Sequence, residues 1–169
     1  MTVRRSLLLF VLSLPLFAIT LSAQTFTRAD SLRGYLFPER ACYDVRYYAL
    51  DVRVDPADSS VRGSNTIFFT VMSPMRRLQV DLFAEMKVDR VTPDDAAQSL
   101  PVTREFGALF IALPKQLAAG SVHRLRFDFG GRPQAAKNPP WDGGFSWKQS
   151  SDGTPWIVVT CQGTGASLW

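Results

Sequence analysis

Hydrophobic and polar residues alternate with a period of two along most of the chain after residue 42. Alternation of this kind, with β-branched and aromatic residues on one side, is typical of half-buried β-strands. The pattern predicts about seven or eight strands between residues 43 and 161. The clearest runs lie at residues 48–54, 67–71, 78–82, 109–113 and 125–129.

Turn residues separate these runs, for example Asp55-Pro56, Ser73-Pro74 and Ala119-Gly120. Only residues 28–36 favour a helix, because Ala29-Asp30-Ser31 is a suitable start for a short one. Many short strands without a helical stripe predict an all-β fold, an antiparallel β-sandwich or a related sheet assembly.

Residues 1–23 have the pattern of a secretory signal peptide. Arg4 and Arg5 precede a 15-residue apolar run from Leu7 to Leu21, and Ser22-Ala23 offers small residues for cleavage. The run is shorter than the ~20 apolar residues of a membrane span, although an uncleaved anchor is the alternative. We expect an exported chain, periplasmic or secreted, that has no membrane span once the signal is removed.

The amino-acid composition limits the kinds of metal and catalytic site that this chain can form. The 169 residues suit one domain, in which a lead-in at 24–42 precedes a β domain at 43–169. A single histidine, His123, cannot supply a two-histidine metal centre, and two cysteines cannot form a four-cysteine zinc site. We therefore expect no catalytic residue, metal ligand or cofactor in this chain, and His123 to be an ordinary strand residue.

Charge and cysteine usage add two expectations. Loss of Arg4 and Arg5 lowers the net charge from +4 to about +2, and the remaining basic residues are scattered, which argues against a nucleic-acid partner. In an oxidising compartment Cys42 and Cys161 either form a disulfide or remain two separate buried thiols, and the sequence leaves both open.

The segment 132–155 is a long connection rich in proline, glycine and tryptophan. Such loops carry function more often than strands do. Its aromatic residues predict either a carbohydrate-binding platform or, as we favour, anchors that hold the loop on the sandwich. These residues are Trp141, Phe145 and Trp147, together with Trp156 at the start of the following strand.

Several segments in this order resemble one family. The chain is similar to the N-terminal domain of the aminopeptidase N family of zinc metallopeptidases, and more narrowly to its exported bacterial branch. The resemblance covers residues 27–169. Its most specific parts are Trp141-Asp142-Gly143-Gly144-Phe145 and Cys161-Gln162-Gly163-x-Gly165-Ala166-Ser167, preceded by Pro38-Glu39-Arg40-Ala41-Cys42.

The resemblance implies a β-saddle or sandwich that packs beside a zinc-containing catalytic domain. That domain carries the motifs G-x-M-E-N and H-E-x-x-H, and this chain contains neither. The implied full-length enzyme removes N-terminal residues from peptides, with the absent catalytic domain as the partner of this chain. We expect the chain alone to be inactive and to be cut off within a motif at Trp169.

The resemblance also implies a binding role at two positions. Gln162 and the adjacent Gly163 match the loop that contacts the free α-amino group of the peptide in the family, whereas Thr160 stands where relatives often have another Gln. The alternative function is a free-standing, secreted β-sandwich module that binds a glycan or a protein partner through the tryptophan-rich loop.

Overall fold

The structure, a computed structural model, describes residues 25–93 and 98–161. The predicted signal segment 1–23 and the predicted site residues Gln162 and Gly163 lie outside this range. The described residues form two short helices and nine strands. They are α1 (Arg28–Gly34), α2 (Pro38–Ala41), β1 (Tyr43–Asp55), β2 (Ser60–Val71), β3 (Met75–Asp81), β4 (Lys87–Pro93), β5 (Val102–Glu105), β6 (Ala108–Leu117), β7 (Val122–Gly131), β8 (Gly144–Gln149) and β9 (Pro155–Thr160).

The largest sheet has four antiparallel strands in the order β1-β2-β7-β4. Its inner face consists of the apolar members of the predicted alternation. Ile67 of β2, for example, lies opposite Tyr48 of β1 and Leu125 of β7. Because side chains alternate across a strand, every second residue of β2 and β7 points into the core.

A second sheet of three antiparallel strands, in the order β3-β6-β5, packs against this inner face. Leu78, Leu109 and Ile111 belong to the same hydrophobic core as Phe69 and Phe127 of the larger sheet. The prediction of an all-β, antiparallel sandwich is confirmed. The described residues form nine strands, slightly more than the expected seven or eight. One reason is that β5 has only four residues, too few to show a clear alternation of apolar and polar positions.

Helices α1 and α2 of the lead-in cover the outer face of the smaller sheet. Thr27 and Asp30 make a capping box that starts α1, within the stretch for which the sequence predicts a helix. Leu32 packs with Ala108 and Phe110 on this outer face. As a result Gln79, which the alternation places among exposed polar residues, is buried beneath α1.

The last two strands form a separate hairpin, β8–β9. Phe145, Trp147 and Ile157 attach this hairpin to the main core. None of the helices within residues 25–93 and 98–161 is long and apolar enough to cross a membrane.

Candidate functional site

The β8–β9 hairpin positions the strand that leads to the predicted binding residues. Its turn is closed by hydrogen bonds from the Ser150 N–H to the Thr154 carbonyl at 2.9 Å and from the Gly153 N–H to the Ser150 carbonyl at 3.0 Å. The Ser150 hydroxyl and the Thr154 N–H donate to the Asp152 carboxylate and lower its pKa to about 2. The turn thus fixes the direction in which β9 runs.

The Trp-Asp-Gly-Gly-Phe motif builds the loop that enters β8. The Asp142 carboxylate accepts hydrogen bonds from the N–H groups of Lys137 and Asn138, the second at 2.8 Å. Gly144 has φ of 117°, and a Cβ there would lie 2.5 Å from the Gln134 carbonyl oxygen. Only glycine fits this close approach, so the motif has a structural role in holding the loop together.

The four aromatic residues of this region divide into two pairs. Phe145 is buried and stacks on Trp147 with ring centroids 5.2 Å apart, as expected for anchors. Trp141 and Trp156 are instead exposed, at 74% and 60%. The anchoring interpretation therefore holds for the first pair, while the second pair presents aromatic surface to the outside.

Strand β9 is apolar and only partly covered. Trp156, Val158 and Val159 are exposed large hydrophobic residues. Within the described part of the chain, β9 pairs with β8 alone, so its other edge has no strand beside it. Thr160 ends the strand, its hydroxyl donating to the Gly144 carbonyl at 3.4 Å. Cys161 follows, and the predicted pair Gln162-Gly163 comes directly after it.

The two cysteines are both free in the structure. The Cys42 thiol is buried at the end of α2, 3.1 Å from the Met75 sulfur, and burial raises its pKa. Cys161 is half-buried at the end of β9. Their pairing remains a prediction, and the mass of the intact protein after alkylation tests it. Two added alkyl groups indicate free thiols, and none indicates a disulfide.

Nothing in the described ranges offers a metal centre, since no group of three or more His, Cys, Asp or Glu residues lies close enough to hold an ion. His123 lies on β7, and its Nε2 is 2.9 Å from the Ser121 hydroxyl oxygen. The described residues therefore do not fit a zinc ion.

A polar cluster beneath α1, on the outer face of the smaller sheet, was not anticipated from the sequence. Arg40, Gln79 and Asp81 lie together there and are linked by hydrogen bonds. Asn65 lies apart from them, on the apolar inner face of the four-stranded sheet between Leu50 and Phe127. The burial of Gln79 depends on the helix above it and leaves no trace in the alternation.

Comparison with solved structures finds the same fold in a set of peptidases. An M1 zinc metallopeptidase from Deinococcus radiodurans, a mutant bound to a Tyr-Ser-Ala substrate, matches with a TM-score of 0.53 and 21% identity, over 67% of this chain and 25% of that chain. A second structure of an M1 zinc metallopeptidase from the same organism matches with a TM-score of 0.51 and 22% identity, over 63% of this chain and 24% of that chain. No family model and no curated protein matches the chain.

These likenesses establish the fold. The structural neighbours are M1 zinc metallopeptidases, the aminopeptidase N family, so the resemblance predicted from the sequence is confirmed at the level of the fold. The chain spans about a quarter of their length.

Proposed function

We propose that this chain is the non-catalytic N-terminal β domain of an exported zinc aminopeptidase, an enzyme that removes N-terminal residues from peptides. The observation that carries the proposal is the fold shared with M1 zinc metallopeptidases over 67% of this chain but only 25% of the neighbour. A match of that kind is expected when one domain of a larger enzyme is compared with the whole. Zinc and the catalytic groups belong to the remainder of the enzyme.

The exposed face of β9 supports a contact with the catalytic domain. Trp156 and Val158 lie on the same face of β9 and form an apolar surface beside a strand edge with which no other described strand pairs. Contiguous exposed apolar residues commonly mark an interface. The same strand runs towards Gln162 and Gly163, so a domain seated on β9 lies next to the loop proposed to contact peptides.

Gln162 suits recognition of a peptide amino group. Its side-chain carbonyl accepts a hydrogen bond from an ammonium group, and its amide is uncharged. A carboxylate at this position makes a charge-assisted hydrogen bond, which is roughly twice as strong as a neutral one. Gln162 therefore contributes orientation to substrate binding, with weaker attraction than a glutamate would provide.

The experiment compares two proteins. The gene is sequenced past the codon for Trp169, and the 169-residue chain and the protein encoded by the whole reading frame are assayed with an aminoacyl p-nitroanilide, with and without added zinc. We expect turnover only from an extended protein that contains H-E-x-x-H, and a raised KM when Gln162→Ala is introduced there. Turnover by the short chain, or an extension without peptidase motifs, contradicts the proposal.

Export is tested separately. Expression with the natural N-terminus in a bacterial host, followed by fractionation and N-terminal sequencing, should give periplasmic or secreted protein that begins at Gln24. Protein that keeps residues 1–23 and sediments with membranes would instead indicate an uncleaved anchor.

A second candidate function rests on Trp141 and Trp156. Their exposure favours a free-standing module that stacks sugar rings or contacts a protein surface. Tryptophan fluorescence titrated with oligosaccharides tests this function. Saturable quenching that is lost in Trp141→Ala, but kept in a control variant Tyr35→Ala at another exposed aromatic residue, supports the module.

A further inference from the structure

The two edge strands of the four-stranded sheet differ in how they are protected from further pairing. Strand β4 is short, begins with Lys87, ends with Pro93 and contains a bulge, and all of these features oppose the addition of another strand. Strand β1 has a bulge only near its start, and from Tyr47 to Asp55 it contains neither lysine nor proline. Among the described residues β1 pairs with β2 alone. The sheet therefore has one protected edge and one long free edge.

The inner side of this free edge is apolar. Tyr48, Leu50, Val52 and Val54 follow one another at every second position, so they share one face of β1. Tyr48, Leu50 and Val54 are between 40% and 54% exposed. An exposed apolar row on a free strand edge commonly marks an interaction site. A strand that pairs with β1 must bring apolar side chains to the same side.

The outer side of the same stretch carries two charges of opposite sign, Asp51 and Arg53. In the β1–β2 register Arg53 lies opposite Arg62, and Asp51 lies opposite Ser64. Like charges directly opposite each other on neighbouring strands are destabilising. No ion pair joins Asp51 or Arg53 to another described residue. A carboxylate on the free side of Arg53 would offset the repulsion from Arg62.

A second copy of β1 supplies that carboxylate. When two β1 strands run antiparallel about a two-fold axis at Val52, Asp51 of each copy lies opposite Arg53 of the other. The same register sets Leu50 opposite the second copy's Val54, on the inner side. An axis at Asp51 would instead set two aspartates opposite each other, and an axis at Arg53 would do so with two arginines. The charges thus select one register.

We propose that two copies of this chain pair through the free edges of their β1 strands, antiparallel about a two-fold axis at Val52. The two four-stranded sheets become one continuous sheet, and the apolar row of each copy continues into that of the other. Two-fold pairing uses the β1 edge of both copies, so the assembly closes as a dimer. This interface goes beyond the proposed aminopeptidase role, because it requires neither zinc, Gln162 nor the surface of β9.

The first test measures association of the purified full chain by sedimentation velocity. We expect a reversible monomer–dimer equilibrium with a dissociation constant on the order of micromolar. Asp51→Arg and Arg53→Asp each set like charges opposite one another, twice in the symmetric interface, and should weaken the dimer about tenfold or more. The double variant restores opposite charges and should associate within about threefold of the wild type.

Asp89→Arg is the matched control for net charge. It makes the same change of charge as Asp51→Arg, at an exposed position on β4, the other edge strand of the sheet. It should leave the dissociation constant unchanged. Circular dichroism and urea unfolding establish that each variant is folded before its association is measured.

The second test determines the register of the two strands. In a sample mixed from isotope-labelled and unlabelled protein, filtered NOE spectra report contacts between copies only. We expect NOEs between the methyl groups of Leu50 and Val54, which are about 13 Å apart within one extended strand, and between the two Val52 residues. The measurement uses the wild type, so it decides the register even where a charge variant does not fold.

Four outcomes would overturn the proposal. A folded wild type that stays monomeric at millimolar concentration shows that the edges do not pair. Association that persists in both single variants belongs to another surface, such as the apolar segment 7–21. A double variant as weak as the single ones, or NOEs in another register, removes the axis at Val52. Slow exchange of all β1 amides in a monomer shows that another segment of the same chain covers this edge.

Discussion

Strands β1 and β2 are neighbours in one sheet and carry the same alternation, yet only one of them is buried. Phe69 of β2 is 0% exposed, whereas Leu50 of β1 is 48% exposed. Both side chains belong to the inner face of the sheet. The difference is position, since β2 lies between β1 and β7 while β1 is the edge strand. Alternation therefore reports which face a residue occupies, and the sheet partner decides whether that face is covered.

The strongest test of this comparison removes one side chain from each strand. Phe69→Ala should lower the free energy of unfolding by about 3–5 kcal/mol, because it leaves a cavity in the packed core. Leu50→Ala should lower it by less than about 1 kcal/mol, since half of the side chain is already in contact with water. Urea unfolding followed by circular dichroism measures both.

The comparison fails if the two substitutions cost the same. Equal large losses would show that the edge strand is covered as fully as the centre. A Phe69→Leu variant is the control for shape, and its cost should lie well below that of Phe69→Ala because most of the volume is kept.

The contact between the two strands is tested next. A Cβ on Gly63 of β2 would lie 2.0 Å from the Asp51 carbonyl oxygen of β1. Gly63→Ala should therefore destabilise the protein by about 1–3 kcal/mol, because backbone must move to admit the methyl group. Thermal and urea unfolding measure the loss.

Gly34→Ala is the matched control, since nothing lies within 4 Å of a Cβ at Gly34. It should be neutral or stabilising by up to about 1 kcal/mol. If Gly63→Ala proves as mild as this control, the close approach of β1 to β2 is wrong.

A lysine in place of Tyr48 on the edge strand β1 should change the stability of the protein only slightly but clearly reduce its self-association. Tyr48 on the edge strand is exposed, and long apolar edge strands favour edge-to-edge pairing. Tyr48→Lys should change the free energy of unfolding by less than about 1 kcal/mol and delay aggregation measured by light scattering. Met72→Lys adds the same charge beyond the end of β2. Equal protection by both would assign the effect to net charge.

The smallest expected effect is a pH dependence of stability caused by Asp152. This residue lies in the β8–β9 turn, far from β1 and β2 in sequence. The pKa of Asp152 is about 2 in the folded protein, below its ordinary value of 3.8. A lowered pKa means that the ionised form stabilises the fold above about pH 4, and that this stabilisation disappears as the pH falls through 2. The carboxyl group is exposed, so the change in stability should be slight.

An NMR titration of the Asp152 carboxyl measures its midpoint directly. The difference in stability between the wild type and Asp152→Asn should be present at pH 5 and absent below pH 2. A midpoint near 4 would mean that the hydrogen bonds from Ser150 and Thr154 do not persist in solution.

Much of the fold could be predicted because its causes are local. The alternation of Ile67 and Phe69 requires a strand with one apolar face, and Thr27 with Asp30 starts a helix through short-range hydrogen bonds. The sequence predicted that the Trp-Asp-Gly-Gly-Phe motif lies in a loop, and the motif does form the loop that leads into β8. Its role is clear only in three dimensions, where Asp142 binds two backbone N–H groups and Gly144 approaches Gln134.

The candidate site was less predictable. Gln162 and Gly163 came from the resemblance, and only the direction of β9 towards them is described. The burial of Gln79 could not be predicted from alternation, since it depends on the packing of α1 over this strand.

The sequence by itself determined the all-β class, the short N-terminal helix, most strands and the apolar face of each. It did so because side-chain direction in a strand has a period of two, which the chain carries locally. Tertiary structure alone decided that Leu50 is exposed while Phe69 is buried, and that Gln79 lies beneath a helix. These outcomes depend on which distant segments pack together, and that information is not contained in any local pattern.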